Sequence, residues 1–335
     1  MTKDAILEIL WANADRSVSG EELAAALSLS RTAVWKAVEQ LRADGYLIES
    51  APRRGYRLLS KSDVLSAPGI EKHLACPGLR LRYFGEIGST NTALKELANR
   101  GEDAGLALIA GRQSAGRGRM GRSFYSPEDT GVYLSLLLRP GLPAAEAVQI
   151  TACAAVAVAE TLEELSRRPT QIKWVNDVYM DGKKVCGILT EASLDCESGQ
   201  LSYAVVGVGV NALAPAGGFP EELRDIAGAV FAQREVPELR CRIAAGILSR
   251  LWRYCGGETL QDCFEAYRSR SLVLGRELEL LSPGREPEAA LALDLERDYA
   301  LRVRLADGTE RSVRSGEVRV RPREGAWQSG KLGVY

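Results

Sequence analysis

Gly111-Arg112-Gln113-Ser114-Ala115-Gly116-Arg117-Gly118-Arg119-Met120-Gly121-Arg122-Ser123-Phe124-Tyr125-Ser126-Pro127 is the stretch on which the fold turns. Its first twelve residues hold four glycines and four arginines and no acid. Glycines let backbone amides approach a ligand, and successive N–H groups form an anion nest. Arginines add planar donors for phosphate and carboxylate oxygens. A polyanion-binding segment is the physical reading. Gly116-x-Gly118-x-x-Gly121 satisfies the dinucleotide-binding spacing, but that motif must open a helix, and Ser123 to Pro127 cannot start one. Gly111-x4-Gly116 has P-loop spacing, but Arg117-Gly118 stands where Lys-Ser/Thr would supply the phosphate lysine and the Mg²⁺ hydroxyl. Both common phosphate-binding folds are thereby excluded, and the bland alternative is a basic surface loop.

Outward from this segment the pattern is mixed. Strands are expected near Leu79–Phe84, Leu106–Ala110, Val132–Leu138, Val185–Thr190 and Leu201–Gly209. Helices are expected near Asn91–Asn99, Ala144–Ser166 and Arg240–Tyr254. Turn-like pieces at Tyr179–Lys184 and Asp195–Gln200 point to an antiparallel or mixed sheet flanked by helices. A hairpin turn at Asp181-Gly182 presents Lys184 on the strand leaving it. Lys173 and Lys184 are candidate point charges for an anion, and Asp177 is a candidate Mg²⁺ ligand. Taken alone, such lysines are ordinarily solvated, and Trp174 is ordinarily core. From Ser271 onward short strands and turns (Leu278–Leu281, Ala290–Leu295, Ala300–Arg304, Arg311–Val313, Val318–Arg321) suggest an SH3-like barrel.

The N-terminal sixty residues read differently. Ile6, Leu7, Leu10 and Trp11 share one helical face. Ser19-Gly20-Glu21-Glu22 is a capping box, and Ser30 caps a further helix with a buried stripe of Val34, Val38 and Leu41, stopped at Gly45. Tyr46–Glu49, a turn at Pro52–Gly55 and Tyr56–Leu59 form a hairpin, the wing of a winged helix-turn-helix. Between Ser28 and Arg57 six basic residues face three acidic ones. Arg31, Thr32, Trp35 and Lys36 lie off the buried stripe and suit a major groove, and Arg53 and Arg54 at the wing tip suit phosphate. The competing reading is a winged helix used for protein contacts. Residues 61–69 look like a linker, and the expected domains are 1–62, 63–270 and 271–335.

Composition bounds the function. The chain has 335 residues, 43 Lys+Arg against 44 Asp+Glu, one histidine and seven cysteines without CxxC spacing. A net charge of −1 excludes a globally basic nucleic-acid binder but not a local patch. His73 alone cannot build a multi-histidine metal site. The scattered, odd cysteine count fits a reducing cytoplasm. The start carries no signal-type apolar region. The longest apolar run, residues 150–159, is about half a membrane span, so a soluble cytoplasmic protein without a membrane partner is expected.

Taken together, the chain resembles the bifunctional biotin–protein ligases that also act as biotin operon repressors. The resemblance rests on Ser89-Thr90-Asn91, the run 116–127, Lys173-Trp174-Val175-Asn176-Asp177, Lys184–Leu189, Gly207-Val208-Gly209-Val210-Asn211 and Ser315-Gly316-Glu317-Val318. It implies an α+β protein with a winged helix-turn-helix, a central ligase domain and the C-terminal barrel. It further implies two reactions: biotin and ATP, with Mg²⁺, give biotinyl-AMP, and the biotin then passes to a lysine of the biotin carboxyl carrier protein of acetyl-CoA carboxylase. A homodimer would carry two winged helices to operator DNA, with biotinyl-AMP as corepressor. By motif match, Ser89, Thr90, Asn91 and Gln113 take the ureido end of biotin. Arg117, Gly118 and Arg119 lie over biotin and the phosphate, Lys184 binds biotin by neutralising its carboxylate or the phosphate, and Lys184 with Arg119 is catalytic. Gly116, Arg119, Arg122, Phe124, Trp174 and Asn176 bind the adenylate, with Asp177 toward Mg²⁺ and Arg319 and Arg321 toward nucleotide phosphates. The sequence departs from the family's habit at Val175, where proline is usual, and at Phe124, where tryptophan is usual. Three alternatives are kept open: a regulator that senses a carboxylate without ligating it, an acyl ligase using lipoate, and a ligase that has lost DNA binding.

Overall fold

The structure, a computed structural model, describes residues 2–13, 16–51, 54–59, 63–195, 197–233, 236–257, 260–282, 284, 286–314 and 319–322. The chain divides into two compact units, residues 1–74 with 233–245, and 75–232 with 246–335.

In the first unit, α1 (Thr2–Ala12), α2 (Gly20–Leu27) and α3 (Arg31–Ala43) pack around a core that includes Ile6, Leu10, Leu23, Val34, Val38 and Leu41. Each such side chain, fully withdrawn from water, stabilises the unit by about 1.5–3 kcal/mol. The Ser19 capping box forms in both directions: Ser19 Oγ accepts from Glu22 N and Glu22 accepts from Ser19 N at 2.7 Å. Ser30 caps α3, and Gly45 follows its end. Strands β1 (Ile48–Ala51) and β2 (Gly55–Leu58) pair antiparallel as the wing, and Val18 adds a bridge to Tyr56.

The segment read as a linker is built into this unit from Asp63 onward. Ser66 caps a short helix, α4 (Ala67–Glu71). The Asp63 carboxylate, almost wholly buried, accepts from Arg240 N and Arg240 Nε at 2.9 and 3.1 Å. Proline at the start of α4 and the polar run before it look like tether residues in sequence. Their caps and their ion pair with a residue far along the chain are tertiary facts. Residues 60–62 lie outside the described residues.

The second unit is built on a seven-stranded mixed sheet. Its elements are β3 (Arg80–Ile87), α5 (Thr90–Asn99), β4 (Leu106–Gln113), β5 (Gly131–Leu138), α6 (Ala147–Ser166), β6 (Gln171–Lys173), β7 (Asp177–Met180), β8 (Lys183–Leu194) and β9 (Leu201–Asn211), followed by α7 (Leu239–Cys255), which belongs to the first unit up to residue 245, and α8 (Phe264–Arg268). The spatial order is β3-β4-β5-β9-β8-β7-β6, parallel only between β3 and β4. β5 is buried at every position, and α6 is apolar nearly all round because it sits in the core. Residues 144–166 are long and apolar enough to cross a membrane by length and composition, yet 67% of their most apolar 18-residue window is buried inside the protein. The ten-residue run seen in sequence is thus the middle of a longer core helix.

After α8, β10 (Glu277–Leu281), β11 (Glu288–Leu295), β12 (Leu301–Leu305), β13 (Glu310–Val313) and β14 (Arg319–Pro322) form a five-stranded antiparallel sheet in the order β13-β12-β11-β10-β14. The Trp174 indole N–H donates to the Tyr299 carbonyl at 2.9 Å, tying this sheet's loops to the turn between β6 and β7. The six described cysteines are free thiols, and Cys196 lies outside the described residues.

Candidate ligand and nucleotide site

The site lies where the β8–β9 face, the start of α5 and the Gly/Arg segment meet. The segment is a closed strap in this structure. Arg117 bridges Ser123, Gly118 N donates to Arg122 O at 2.7 Å, and Phe124 N donates to Gly116 O at 2.9 Å. Residues Arg119–Gly121 make a single tight 3₁₀ turn with Met120 at φ 56° and its side chain exposed. No helix follows, as Ser123–Pro127 requires.

Beneath the strap is a narrow cavity of about 60 Å³, lined by Ser89, Thr90, Asn91, Gln113, Arg117, Gly118, Arg119, Phe124, Asn176 and Lys184 over the glycine-containing floor of β8 and β9. A wider chamber of about 360 Å³ shares Gly118, Arg119, Phe124, Asn176 and Lys184 with it. Its remaining wall includes Met120, Arg122, Lys173, Trp174, Asp177, Val320 and Arg321. Apart from Gly116, every ligand-site residue expected in the ligase domain lines one cavity or the other. Gly116 holds the base of the strap, where an added Cβ would lie 2.4 Å from the Phe124 carbonyl.

The floor explains two glycines. A Cβ on Gly207 would come within 2.1 Å of Asn91 Oδ1, and one on Gly209 within 2.4 Å of the Phe124 ring. Both side chains occupy space that any larger residue would need. This is the reason for alternating glycines in an otherwise buried strand.

The neutral side of the cavity is hydrogen-bonded to itself. Gln113 Oε1 accepts from Thr90 N at 2.9 Å and Thr90 Oγ at 3.1 Å, while Gln113 Nε2 donates to Ser126 Oγ at 3.1 Å. Ser135 Oγ, with the residue fully buried, bridges Thr90 Oγ at 2.7 Å and Asn91 Oδ1 at 2.6 Å. Asn91 Nδ2 donates to Leu189 O and Glu191 Oε2, each at 3.1 Å. Ser89 caps α5. Sequence reading passed over Ser135, Ser126 and Glu191. The available signal was a lone serine in the apolar strand Gly131–Leu138, a position where a hydroxyl must find partners.

The charged side is paired with itself. Lys184 Nζ lies 2.7 Å from Asp177 Oδ1. Arg119 donates to Asn176 Oδ1 at 3.2 Å, and Arg117 reaches Glu191 at 3.2 Å. Burial pulls the Arg119 guanidinium below its ordinary pKa, against the opposing pull of Asp177 and Tyr267. A cation held this far from water is stabilised by any anion that enters. Burial would push the Glu191 carboxyl up, but hydrogen bonds from Lys95 and Asn91 and the charges of Lys95 and Arg117 together hold it below the usual range. Burial pushes the Cys186 thiol up, against the lowering pull of Lys184. Trp174 is buried with its N–H committed to Tyr299, so only part of its surface reaches the chamber. Arg321 pairs with Glu279 beside that chamber. His73 pairs with Glu238 in the first unit and lines neither cavity. The side chain of Arg319 and residues 315–318 lie outside the described residues.

In the winged helix, Arg31, Thr32, Trp35 and Lys36 are exposed on α3, Trp35 by 53%. Arg31 pairs with Glu21 at 2.8 Å, both side chains largely in water. Arg54 is exposed at the wing, and Arg53 lies outside the described residues.

A winged helix joined to a mixed-sheet unit with a strapped pocket, neutral at one end and cationic at the other, defines a helix-turn-helix protein with a ligase-type domain. The chain belongs to the biotin/lipoate A/B protein ligase family, whose model matches residues 83–211, and an HTH domain model matches residues 2–57. Over 224 residues it is 41% identical to the bifunctional ligase/repressor of Bacillus subtilis, covering 66% of this chain and 68% of that one. Over 194 residues it is 36% identical to the Escherichia coli bifunctional ligase/repressor, covering 58% and 59%. Among solved structures, a biotin protein ligase from Aquifex aeolicus in complex with biotin and ATP superposes with a TM-score of 0.60 at 28% identity, covering 72% of this chain and 99% of that one.

Proposed function

We propose that the protein is an ATP-dependent biotin–protein ligase that doubles as a biotin-responsive transcriptional repressor. The observation that carries the ligase reading is the shared wall of the two cavities. Lys184 and Arg119 stand between a slot edged by neutral hydrogen-bonding groups and a chamber large enough for a nucleotide. The neutral end takes the ureido group, the cationic wall takes the biotin carboxylate and the α-phosphate, and the chamber takes the adenosine, with Phe124 between them. A carboxylate oxygen of biotin attacks the α-phosphorus. The carboxylate-to-phosphorus bond forms as the α–β bridge breaks, and pyrophosphate leaves. A lysine amine of the carrier protein then attacks the acyl carbon, an amide forms, and AMP departs. No protein nucleophile or imidazole takes part. The protein's contribution is positioning and cationic stabilisation of developing charge.

Mg²⁺ arrives with ATP as part of the substrate. The site's donors fit that mode: Asp177 offers one carboxylate, and phosphates and water supply the rest, as is usual for this ion. Arg122 and Gly116 support the strap over the adenylate, and Arg321 faces the nucleotide. The α3 residues Arg31, Thr32, Trp35 and Lys36 with Arg53 and Arg54 of the wing meet operator DNA, and a homodimer carries two such units to a palindromic site. Under this reading the functional regions are 1–62, 63–270 and 271–335, with residues 63–74 packed in the compact unit of the winged helix. The last contains the five-stranded sheet as an SH3-like barrel, and the protein works in the cytoplasm without a membrane partner.

Incubation with labelled biotin, ATP, Mg²⁺ and a carrier domain tests the ligase. Label on the carrier's lysine is expected, and a folded protein that transfers none overturns the reading. A gel shift on DNA upstream of biotin genes, with and without biotinyl-AMP, tests the repressor.

A further inference from the structure

Glu191, toward the C-terminal end of β8, is engaged by three residues from two parts of the protein, Asn91 and Lys95 of α5 and Arg117 of the strap. Its Oε1 is 2.8 Å from Lys95 Nζ on α5 and 3.2 Å from Arg117 Nη1 on the strap. Its Oε2 accepts from Asn91 Nδ2 at 3.1 Å and lies 3.5 Å from Arg117 Nη1. Arg117 therefore straddles both oxygens. The strap lines the roof of the narrow cavity while so held. Its other arginine in the cavity, Arg119, is anchored by the neutral amide of Asn176.

We propose that Glu191 is a positioning residue that keeps the strap shut on bound ligand through Arg117, and so sets how long the activated acyl-adenylate is retained before transfer. The inference rests on the ligase reading above and adds a retention device to it. Three observations favour this division of labour. The Glu191 side chain is mostly buried, 16% exposed, on a rigid strand between two paired neighbours, so it is a fixed post. The Arg117 side chain is 46% exposed, so its pairing is partly screened and exchangeable, as a clasp must be. Lys95, on α5, holds the post in place through the same Oε1 that Arg117 reaches. Asn91 shares the same carboxylate, but through a neutral hydrogen bond that a glutamine at 191 can also accept.

That last point separates the two jobs experimentally. Glu191→Gln keeps an acceptor for Asn91 and removes the charge that holds Arg117. Labelled biotinyl-AMP is formed on the full chain, an excess of unlabelled biotin is added, and loss of bound label is followed. The biotin KM of pyrophosphate release is measured in parallel. Release about fivefold faster is expected, the scale of one partly exposed ion pair, with the KM changed by less than about twofold. In an Arg117→Gln chain, adding Glu191→Gln should speed release no further, because Glu191 acts through Arg117. Unchanged release in Glu191→Gln, an equal fall in biotin affinity and retention, or additive effects in the double variant each overturn the proposal. Should Glu191→Gln fail to fold, Arg117→Gln alone must release quickly, and wild-type retention in that variant overturns it as well. A wild-type chain that forms no adenylate overturns the ligase reading and this inference with it. A wild type that holds adenylate beside an unaltered Glu191→Gln overturns this inference alone.

Discussion

The two ends of the narrow cavity are built on opposite principles. At the neutral end, Ser135, Thr90, Asn91, Gln113 and Ser126 form a network in which each group has a partner before any ligand arrives. At the cationic end, Lys184 and Arg119 are held by Asp177 and Asn176, partners that an incoming anion can replace. The first arrangement is rigid and selects shape. The second stores charge in exchangeable pairs and responds to substrate. A buried neutral network is costly to break because each lost partner leaves a dry polar atom, whereas a partly exposed ion pair contributes little and gives way readily.

The largest test of this contrast is Lys184→Ala. It should slow adenylate formation by about 10²–10³-fold, the scale of one lost electrostatic donor, while equilibrium biotin binding weakens far less. Stopped-flow pyrophosphate release and calorimetry separate the two, and an equal loss in both would erase the distinction. Next comes Gly207→Ala, whose Cβ would sit 2.1 Å from Asn91 Oδ1. Displacing that amide should weaken biotin binding by about ten- to a hundredfold, the scale of a lost buried hydrogen bond, with Lys184-dependent ATP binding preserved. Ser135→Ala should cost about 1–3 kcal/mol by orphaning the network at Thr90 and Asn91. It should appear as a lowered Tm and about tenfold weaker biotin binding, and its effect should be insensitive to salt. By contrast, raising ionic strength from about 0.1 to 1 M shortens the Debye length from about 10 to 3 Å. Nucleotide affinity should fall several-fold while biotin affinity moves little.

The smallest expected effect is on acid stability. The Glu191 carboxyl is held below its ordinary value of 4.5. A depressed pKa contributes stability that is complete above the unfolded value and is lost as pH falls through the folded one. Unfolding measured from pH 6 downward should therefore show a steeper acid limb in the wild type than in Glu191→Gln. Identical limbs would mean that the carboxylate does not strengthen this corner of the site.

Much of the architecture was legible because its signals are local. The Ser19 and Ser30 caps, the stripe of Val34, Val38 and Leu41, the Asp181-Gly182 turn, and the alternation of the C-terminal strands all depend on neighbours within a few residues. The strap announced itself by composition. Less visible were β6 and β7, at three and four residues too short to show a period, and Asp63, whose partner Arg240 is 177 positions away.

By itself the sequence determined where a cationic, glycine-bearing segment had to lie, that Ser19 and Ser30 cap two N-terminal helices, and that a single histidine cannot build a multi-histidine metal site. Only the tertiary structure decided that Glu191 stands under Arg117, that Ser135 supports Thr90 and Asn91, and that Phe124 rests on Gly209. These contacts join residues from 44 to 85 positions apart in sequence. Hydrogen bonds and close packing depend on distance in space, and the pairing of β5, β9 and β8 with α5 laid across them brings those side chains within reach of one another.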